Sequence, residues 1–361
     1  MAVNIAINGF GLIGRLVFCQ LLGDRAFEIA AINDSAKPEL LTYLLKYETP
    51  QPFADLVSGP GFISLKGKTI KTYSETDLSK LPWKKLKADL VIDCTGPASK
   101  DRAAAHLAAG AKKILLVPPS AAYPGIAAAL PLIVYGVNEK TITHTDRIIA
   151  APSPAVSGLA SLVKALNDFA PIRSGILTIT GGEAADANTG AGISAAISNM
   201  IPELQGKLTG SVMIPNADSG TGTQAGPRSA FLLTAAVTGK NITTETLNRA
   251  LKARVDPLRT LVLPIGEDLY QIQIAALCIG EDVYAAELVK ILKYFAEPKA
   301  GPAKPAAGTA AKSGATKPVA GPKTPAAVKA GTAKKGAQRP AGGAKPVNPA
   351  LPRKPLINFP K

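Results

Sequence analysis

The chain of 361 residues is long enough for two domains, and it contains no apolar run of the roughly 18 residues that a membrane span requires. Its three cysteines, Cys19, Cys94 and Cys278, are scattered, which argues against a disulfide framework or a zinc site and favours a reducing compartment. The first residues enter a strand pattern without the features of a secretory signal. We therefore expect a cytoplasmic protein with no membrane contact and no bound metal.

The formal net charge of +15 comes mainly from one end of the chain. Residues 298–361 contain 13 Lys and Arg and no Asp or Glu, so residues 1–297 have a net charge of only +2. The basic character therefore belongs to the C-terminal segment and not to the part that is expected to fold.

The first predicted elements form a dinucleotide-binding unit. The alternating strand "VNIAIN" is followed by Gly9, Gly11 and Gly14 in a G-x-G-x-x-G pattern, and then by the apolar helix face of "RLVFCQLL". Such glycines permit a tight turn and close approach of the backbone to a pyrophosphate, which the N–H groups of the helix start attract. The next strand, "FEIAAIND", ends at Asp34, where a carboxylate can bind the adenosine ribose hydroxyls. This order predicts a Rossmann domain, and the acid favours NAD over NADP.

The following segments continue a parallel α/β pattern. We predict a strand in "ADLVIDCTG", a helix through "SKDRAAAHLAAGA", and strands in "KKILLV" and "LPLIVYGVN". Cys94 is expected to be a core thiol. Thr95 and Gly96 follow it at the end of the strand, where a dinucleotide is expected to pass. The residues expected to bind the cofactor are Asn8, Gly9, Gly11, Leu12, Ile13, Gly14, Asp34, Thr95 and Gly96.

The segment 297–361 is of low complexity in Ala, Pro, Lys and Gly. Ordering it would cost about 1–2 kcal/mol per residue with almost no apolar side chains to offset that cost, so disorder is predicted. Its composition resembles that of the tails of linker histones and favours a salt-sensitive, sequence-independent contact with a polyanion such as nucleic acid. A solubilising spacer is the alternative. Pro355–Lys361 ("PLINFPK") is a candidate docking motif for a protein partner.

Several segments resemble landmark segments of the phosphorylating glyceraldehyde-3-phosphate dehydrogenase family, and they occur in the same order along the chain. They are "INGFGLIGRLV", "INDSAKPELLTYLLKYET", "AGAKKILLVPPS", "YGVNEKT" and "MIPELQGKLTG". The resemblance implies a Rossmann domain over 1–150, a reduced mixed-sheet α+β catalytic-type domain over 151–296, and then the tail. Its last helix is expected to pack back on the first domain. A homo- or hetero-oligomer is also implied, but the family's subunit-contacting segment between positions 181 and 201 is shortened here.

The same resemblance implies that the family's catalytic residues are absent. In the family, a cysteine at a helix start attacks the aldehyde, a histidine activates the thiol, and an asparagine holds the nicotinamide amide. Motif alignment places Pro154, Gly181 and Gly280 at these positions. The two histidines, His106 and His144, are predicted in a helix and before a strand of the first domain, where neither replaces the base.

Replacement chemistry would need another nucleophile and a base. The family's phosphate-binding Thr is replaced by Ala155, and its phosphate-binding arginine is missing from "GSVMIPNAD". The candidate replacements near the former site are the nucleophiles Ser153, Ser157 and Cys278 and the acids Glu183 and Asp186. No histidine is expected near the serines.

We therefore predict a non-catalytic relative that binds NAD weakly and serves as a binding or structural component. The alternatives are an NAD-dependent oxidoreductase with altered chemistry, a subunit that assembles with an active paralogue, and a scaffold that has lost NAD binding.

Overall fold

The computed structural model describes residues 2–49, 53, 55–96, 98–117, 130–180, 188–213, 230–252, 257–277 and 279–297. These residues all fall within one compact unit. None of the helices found in these ranges is long and apolar enough to cross a membrane.

The described residues form two sheets with helices packed on them. The strands are β1 (Val3–Asn8), β2 (Phe27–Asn33), β3 (Val57–Gly59), β4 (Phe62–Leu65), β5 (Lys68–Tyr73), β6 (Leu90–Asp93), β7 (Lys113–Leu116), β8 (Ile148–Ala150), β9 (Ile172–Thr180), β10 (Leu208–Met213), β11 (Ala230–Thr238), β12 (Pro257–Gly266) and β13 (Leu269–Leu277). The helices are α1 (Leu12–Leu22), α2 (Pro38–Tyr47), α3 (Lys100–Ala108), α4 (Pro154–Phe169), α5 (Asn188–Met200), α6 (Thr244–Lys252) and α7 (Glu281–Ala296).

The first sheet is a Rossmann-type sheet with the order β3-β4-β5-β2-β1-β6-β7-β8 in the described ranges. Strands β5, β2, β1, β6, β7 and β8 run parallel, and β3 and β4 add an antiparallel edge. The strands form because their apolar residues alternate between two packed faces: Ile5 and Ile7 face one hydrophobic cluster, and Ala6 faces the other. The α/β architecture predicted from the sequence is confirmed.

The helices cover both faces of this sheet. Helices α1 and α2 pack on one face together with α7, whose buried Leu288, Leu292 and Phe295 share a cluster with Phe18 of α1. Helix α3 contributes Ala103 to the cluster on the opposite face. Helices on both faces leave the carboxyl ends of the parallel strands as the open edge of this sheet.

The expected strand in "LPLIVYGVN" is wrong. Within it, Leu132 forms only an isolated bridge to Ala150, and the strand that completes the sheet is β8. The side chain of Asn138 donates to the Leu132 carbonyl at 2.8 Å and accepts from the Val134 N–H at 2.9 Å. Gly136 lies in the left-handed region at φ +82°. The side chain thus takes backbone groups that a strand would have used, and the segment turns.

The second sheet is mixed, with the order β10-β9-β11-β13-β12 among the described residues. Only β9 and β10 pair in parallel; the other pairs are antiparallel. One face packs on α4 and α5 through residues such as Leu233 and Ile274. The other face exposes apolar side chains, namely Ile176, Leu232, Leu261, Leu263, Ile265 and Leu277.

Candidate functional site

The candidate site lies at the carboxyl ends of the parallel strands. Strand β1 pairs with both β2 and β6, and the helices that follow β1 and β6 pack on opposite faces of the sheet. The order of strands therefore reverses between β1 and β6, which opens a crevice at their carboxyl ends. Open α/β sheets bind their ligands in such a crevice.

The glycine motif forms the turn between β1 and α1. Gly9 has φ +88°, and a Cβ there would lie 2.4 Å from Thr95 Cγ2. A Cβ on Gly14 would lie 2.1 Å from the Gly9 carbonyl oxygen. Both positions thus require glycine for the backbone to pack. By contrast, a Cβ on Gly11, the residue that caps α1, would meet no atom within 4 Å, so this side of the turn is open to a ligand.

Asp34 lies next to this turn because β2 ends beside β1. One carboxylate oxygen accepts a hydrogen bond from the Phe10 N–H at 2.7 Å, and the other accepts from the Ala36 N–H at 2.8 Å. Each oxygen retains capacity for a further donor such as a ribose hydroxyl. The carboxylate is thus held at the position where the sequence predicts contact with the adenosine ribose.

A buried polar network supports the floor of the crevice. Asn8 donates to the Asp93 carboxylate at 2.8 Å and accepts from Asn33 at 2.7 Å, so its side chain joins three strands. Thr95 donates to Asp93 through its hydroxyl at 2.6 Å and its N–H at 3.0 Å. Arg102 also donates to the Asp93 carboxylate, at 2.8 and 3.1 Å. The side chains of Asn8 and Thr95 therefore position the loop after β6.

Asp93 keeps its charge although it is only 1% exposed. Burial on its own would raise the pKa of this carboxyl, but hydrogen bonds from His106 and Thr95 and the positive charge of Arg102 outweigh it and hold the pKa well below its usual range. The carboxylate is therefore a fixed negative charge that orders its donors.

His106 belongs to the same network and is fully buried. Trp83 Nε1 donates to His106 Nδ1 at 2.9 Å, and His106 Nε2 lies 3.2 Å from an Asp93 oxygen. Because Nδ1 accepts from the indole, the neutral ring carries its proton on Nε2, toward Asp93. Each ring nitrogen has a partner inside the protein, so His106 acts as a structural residue here.

A cavity of about 340 Å³ extends from the glycine turn to the start of α4. It brings the glycine motif together with residues that are distant in sequence. Its lining residues are Gly11, Leu12, Ile13, Gly14, Cys94, Thr95, Val117, Pro154, Glu281 and Tyr284.

Pro154 occupies the first position of α4 and lines this cavity. Ser153 caps the helix by accepting from the Val156 N–H at 3.4 Å. Proline is well suited to a first helical position because its fixed φ matches the helix and it has no N–H to leave unpaired. The residue therefore suits the start of the helix, but its side chain consists only of carbon and hydrogen and offers no nucleophile.

The start of α7 forms another wall of the cavity. Gly280 is the residue that caps this helix, and Glu281 and Tyr284 of its first turn line the cavity. The Tyr284 hydroxyl donates to the carbonyl of Pro152, which fixes the start of α4 against α7.

Cys94 also lines the cavity, but the environment of its thiol disfavours the thiolate. Burial and the charge of Asp93 raise the pKa of this thiol far above its usual range. Burial likewise raises the pKa of Cys19 to about 11. Both thiols are free and are protonated at neutral pH.

Ser157 has a partner that sequence reasoning missed. Its hydroxyl donates to Glu287 at 2.8 Å, across the interface between α4 and α7. Burial raises the pKa of Glu287, and the bond from Ser157 and the charge of Lys290 only partly oppose this. The two residues are separated by 130 positions, so no local pattern could reveal the pair. Neither side chain lines the cavity.

Other candidates lie elsewhere. His144 is exposed in the turn before β8, at the end of that strand opposite Pro154. Gly181, Glu183, Asp186 and Cys278 lie outside the described residues, as does the tail with its Pro355–Lys361 motif. Within the described ranges, no group of three or more His, Cys, Asp or Glu side chains could hold a metal ion.

Comparison with known proteins places these features in a family. Residues 3–101 match the family described as "Glyceraldehyde 3-phosphate dehydrogenase, NAD binding domain". A glyceraldehyde-3-phosphate dehydrogenase of Clostridium acetobutylicum is 30% identical over 346 aligned residues, which cover 81% of this chain and 98% of that protein. The chain belongs to the glyceraldehyde-3-phosphate dehydrogenase family.

Two further relatives carry the same name. The protein of Clostridium pasteurianum is 32% identical, and the match covers 69% of this chain and 78% of that protein. The protein of Wickerhamomyces ciferrii is 36% identical, and the match covers 60% of this chain and 71% of that protein. The domain match includes the glycine turn, Asp34, Thr95 and Gly96, so this family member carries the NAD-binding domain of its relatives.

Proposed function

We propose that the chain is a non-catalytic member of the glyceraldehyde-3-phosphate dehydrogenase family that retains weakened NAD binding and serves as a binding or structural component. The observation that carries this proposal is Pro154, the residue at the start of α4 in the wall of the cavity. The family reaction, as the sequence resemblance implies it, needs a thiolate at this place.

The other described residues around the cavity do not supply that chemistry. Cys94 is held as a protonated thiol, and neither histidine of the chain lines the cavity. Glu281 is an exposed carboxylate of a helix first turn, where a negative charge stabilises the helix. We expect no reduction of NAD in the presence of glyceraldehyde-3-phosphate and inorganic phosphate. Turnover in a preparation free of host enzyme would contradict the proposal.

NAD binding is proposed to depend on the adenosine and phosphate half of the site. The open side of Gly11, the start of α1 and the carboxylate of Asp34 support this half. At the nicotinamide end, Gly280 has no side-chain amide with which to hold the ring. Calorimetry should therefore give similar dissociation constants for ADP-ribose and NAD. A marked preference for intact NAD would show that the nicotinamide end contributes to binding.

A second copy of this chain is the partner that we propose for the exposed face of the second sheet. Five strands about 4.8 Å apart, four of nine or ten residues and one of six, make a face of roughly 700 Å², close to the ~800 Å² per partner of a stable interface. Its outward residues are mostly apolar or uncharged, as in Leu232, Gln273 and Leu261. We expect a dimer by light scattering. A monomer would contradict the proposal, and assembly only with an active relative would assign the face to a hetero-oligomer.

The segment 298–361 is proposed to contact a polyanion, because it carries 13 positive charges and no negative ones. Pro355–Lys361 is the proposed contact for a protein partner. Changing the lysines of the segment to glutamine in the full chain should weaken salt-sensitive binding to nucleic acid; unchanged binding would reduce the segment to a spacer. The free thiols of Cys19 and Cys94 are consistent with a reducing, cytoplasmic location.

An oxidoreductase with altered chemistry is the second candidate function. The observation behind it is the hydrogen bond between Ser157 and Glu287, a hydroxyl and a carboxylate with a raised pKa that lie outside the cavity lining. Activity toward any aldehyde that disappears in Ser157→Ala would support this candidate, whereas unaltered NAD levels across an aldehyde panel would exclude it.

A further inference from the structure

The amino ends of the parallel strands carry a cluster of basic side chains, at the edge opposite the candidate dinucleotide site. Three come from the turn before β6, two precede or begin β7, and one precedes β8. We call these residues the amino-edge cluster: Lys84, Lys85, Lys87, Lys112, Lys113 and Arg147.

Backbone contacts hold these residues side by side. The Lys84 N–H donates to the Ala109 carbonyl at 2.9 Å, and a Cβ on Gly110 would lie 2.4 Å from Lys84 Cβ, so the first turn packs directly on the segment before β7. The Arg147 guanidinium donates to the carbonyls of Lys112 at 3.0 Å and Ala111 at 3.4 Å. The three turns therefore form one continuous surface.

The positive charge of this surface is only partly neutralised. Asp89 pairs with Lys112 at 2.6 Å, and Asp146 accepts from the Thr143 N–H and hydroxyl. Six cations and these two acids leave a local charge of +4, larger than the +2 of all residues 1–297. Lys84, Lys85, Lys87 and Arg147 are exposed. The charge of the folded part is thus concentrated on this edge.

The cluster also contacts the end of α7, the last described helix before the basic segment in the sequence. Lys113 donates to the carbonyl of Phe295 at 2.6 Å, and its ammonium lies 4.9 Å from the centre of the Phe295 ring. Phe295 is in the last turn of α7, and the residues from 298 onward carry only positive charges. The basic segment therefore follows in sequence, after Glu297, a helix end that contacts the cluster.

We propose that the amino-edge cluster binds the phosphate backbone of double-stranded nucleic acid. Three adjacent strands about 4.8 Å apart give the cluster a span on the order of 10–15 Å, and a duplex offers one negative charge per ~1.7 Å of its axis. Trp83, the aromatic residue in the turn before β6, is buried. The cluster therefore offers no exposed aromatic ring of this turn on which an unpaired base could stack. The surface extends the polyanion contact proposed for the C-terminal segment and is independent of NAD.

The test uses the full chain with four exposed cations of the cluster changed to glutamine, namely Lys84, Lys85, Lys87 and Arg147. The matched control changes four exposed lysines on other surfaces, namely Lys66, Lys71, Lys240 and Lys252, so that both variants lose the same charge. Binding of a fluorescent 20-base-pair DNA duplex is measured across a salt series, and thermal melting verifies that both variants are folded.

If two of the four cations contact phosphates, binding by the cluster variant at 0.15 M salt should be about 30-fold weaker than by the control, and its salt slope should be about 2 smaller. Duplex RNA should behave similarly. Equal dissociation constants for the cluster and control variants would overturn the proposal, and so would tighter binding of single-stranded DNA than of the duplex. Unchanged binding by the lysine-to-glutamine variant of residues 298–361 would instead count against the polyanion contact proposed for that segment.

Discussion

Changing Asp93 to asparagine should destabilise the folded part by about 3 kcal/mol. The carboxylate is 1% exposed and accepts hydrogen bonds from Asn8, Thr95 and Arg102, with His106 beside it. Asparagine keeps the side-chain volume but removes the negative charge. Its amide N–H₂ group would face the N–H and O–H groups that donate to the Asp93 carboxylate. Breaking a buried ion pair on one side costs about 3–5 kcal/mol, and the partial exposure of Arg102 places the cost at the lower end.

Thermal melting measures this change, and a loss of about 3 kcal/mol corresponds to a shift of about 5 °C in the melting temperature for a chain of this size. Asp101→Asn is the matched control, because Asp101 is exposed in the first turn of α3 and should change stability by less than about 0.5 kcal/mol. A shift for Asp93→Asn no larger than that of the control would refute the role assigned to the network.

The low pKa of Asp93 predicts how the stability of the folded part depends on pH. Its pKa is lower in the folded state than the ~3.9 of an unfolded aspartate, so its stabilisation is present above that value and is lost as the pH falls toward the folded pKa. Stability of the original chain should therefore fall more steeply below about pH 4 than that of Asp93→Asn. Parallel stability curves for the two proteins in acid would contradict this sign.

Three further predictions concern the crevice and the sheet face. Asp34→Ala should weaken ADP-ribose binding by roughly 10- to 100-fold in calorimetry, since a hydrogen bond to a charged group contributes about 1.5–3 kcal/mol; unchanged affinity would contradict the ribose contact. Gly9→Ala should lower both the melting temperature and ADP-ribose binding, because its Cβ would collide with Thr95; an unaltered protein would show that the turn can relax. Leu232→Lys should turn the proposed dimer into a monomer by light scattering, whereas Val283→Lys on α7 should not; the reverse result would place the interface on α7.

Local pattern was enough to predict the dinucleotide-binding unit. The strand Val3–Asn8 alternates between two apolar faces, and the glycines follow it within one turn of chain. The place of Asp34 could be predicted as well, because it directly follows the very next strand and parallel neighbours end at the same edge of the sheet.

The error in the strand prediction has a local cause, whereas the omissions arise from side chains that meet across the fold. The segment after Pro131 has strand-like composition, yet the Asn138 side chain takes its backbone groups and no ladder forms. The pairing of Trp83 with His106 joins residues 23 positions apart, and that of Ser157 with Glu287 joins residues 130 apart. Such contacts depend on how helices and turns are packed, which periodicity does not encode.

The most direct test of the central claim is the formation of NADH from NAD, glyceraldehyde-3-phosphate and phosphate, followed at 340 nm with the full chain and with Pro154→Cys. A proline at the start of α4, a glycine at the start of α7 and no histidine in the cavity wall predict no turnover in the first protein. They also predict that the substitution alone does not restore it, because the new thiol would have no base. Sustained NADH production by the unmodified chain would contradict the claim that this member of the family is non-catalytic.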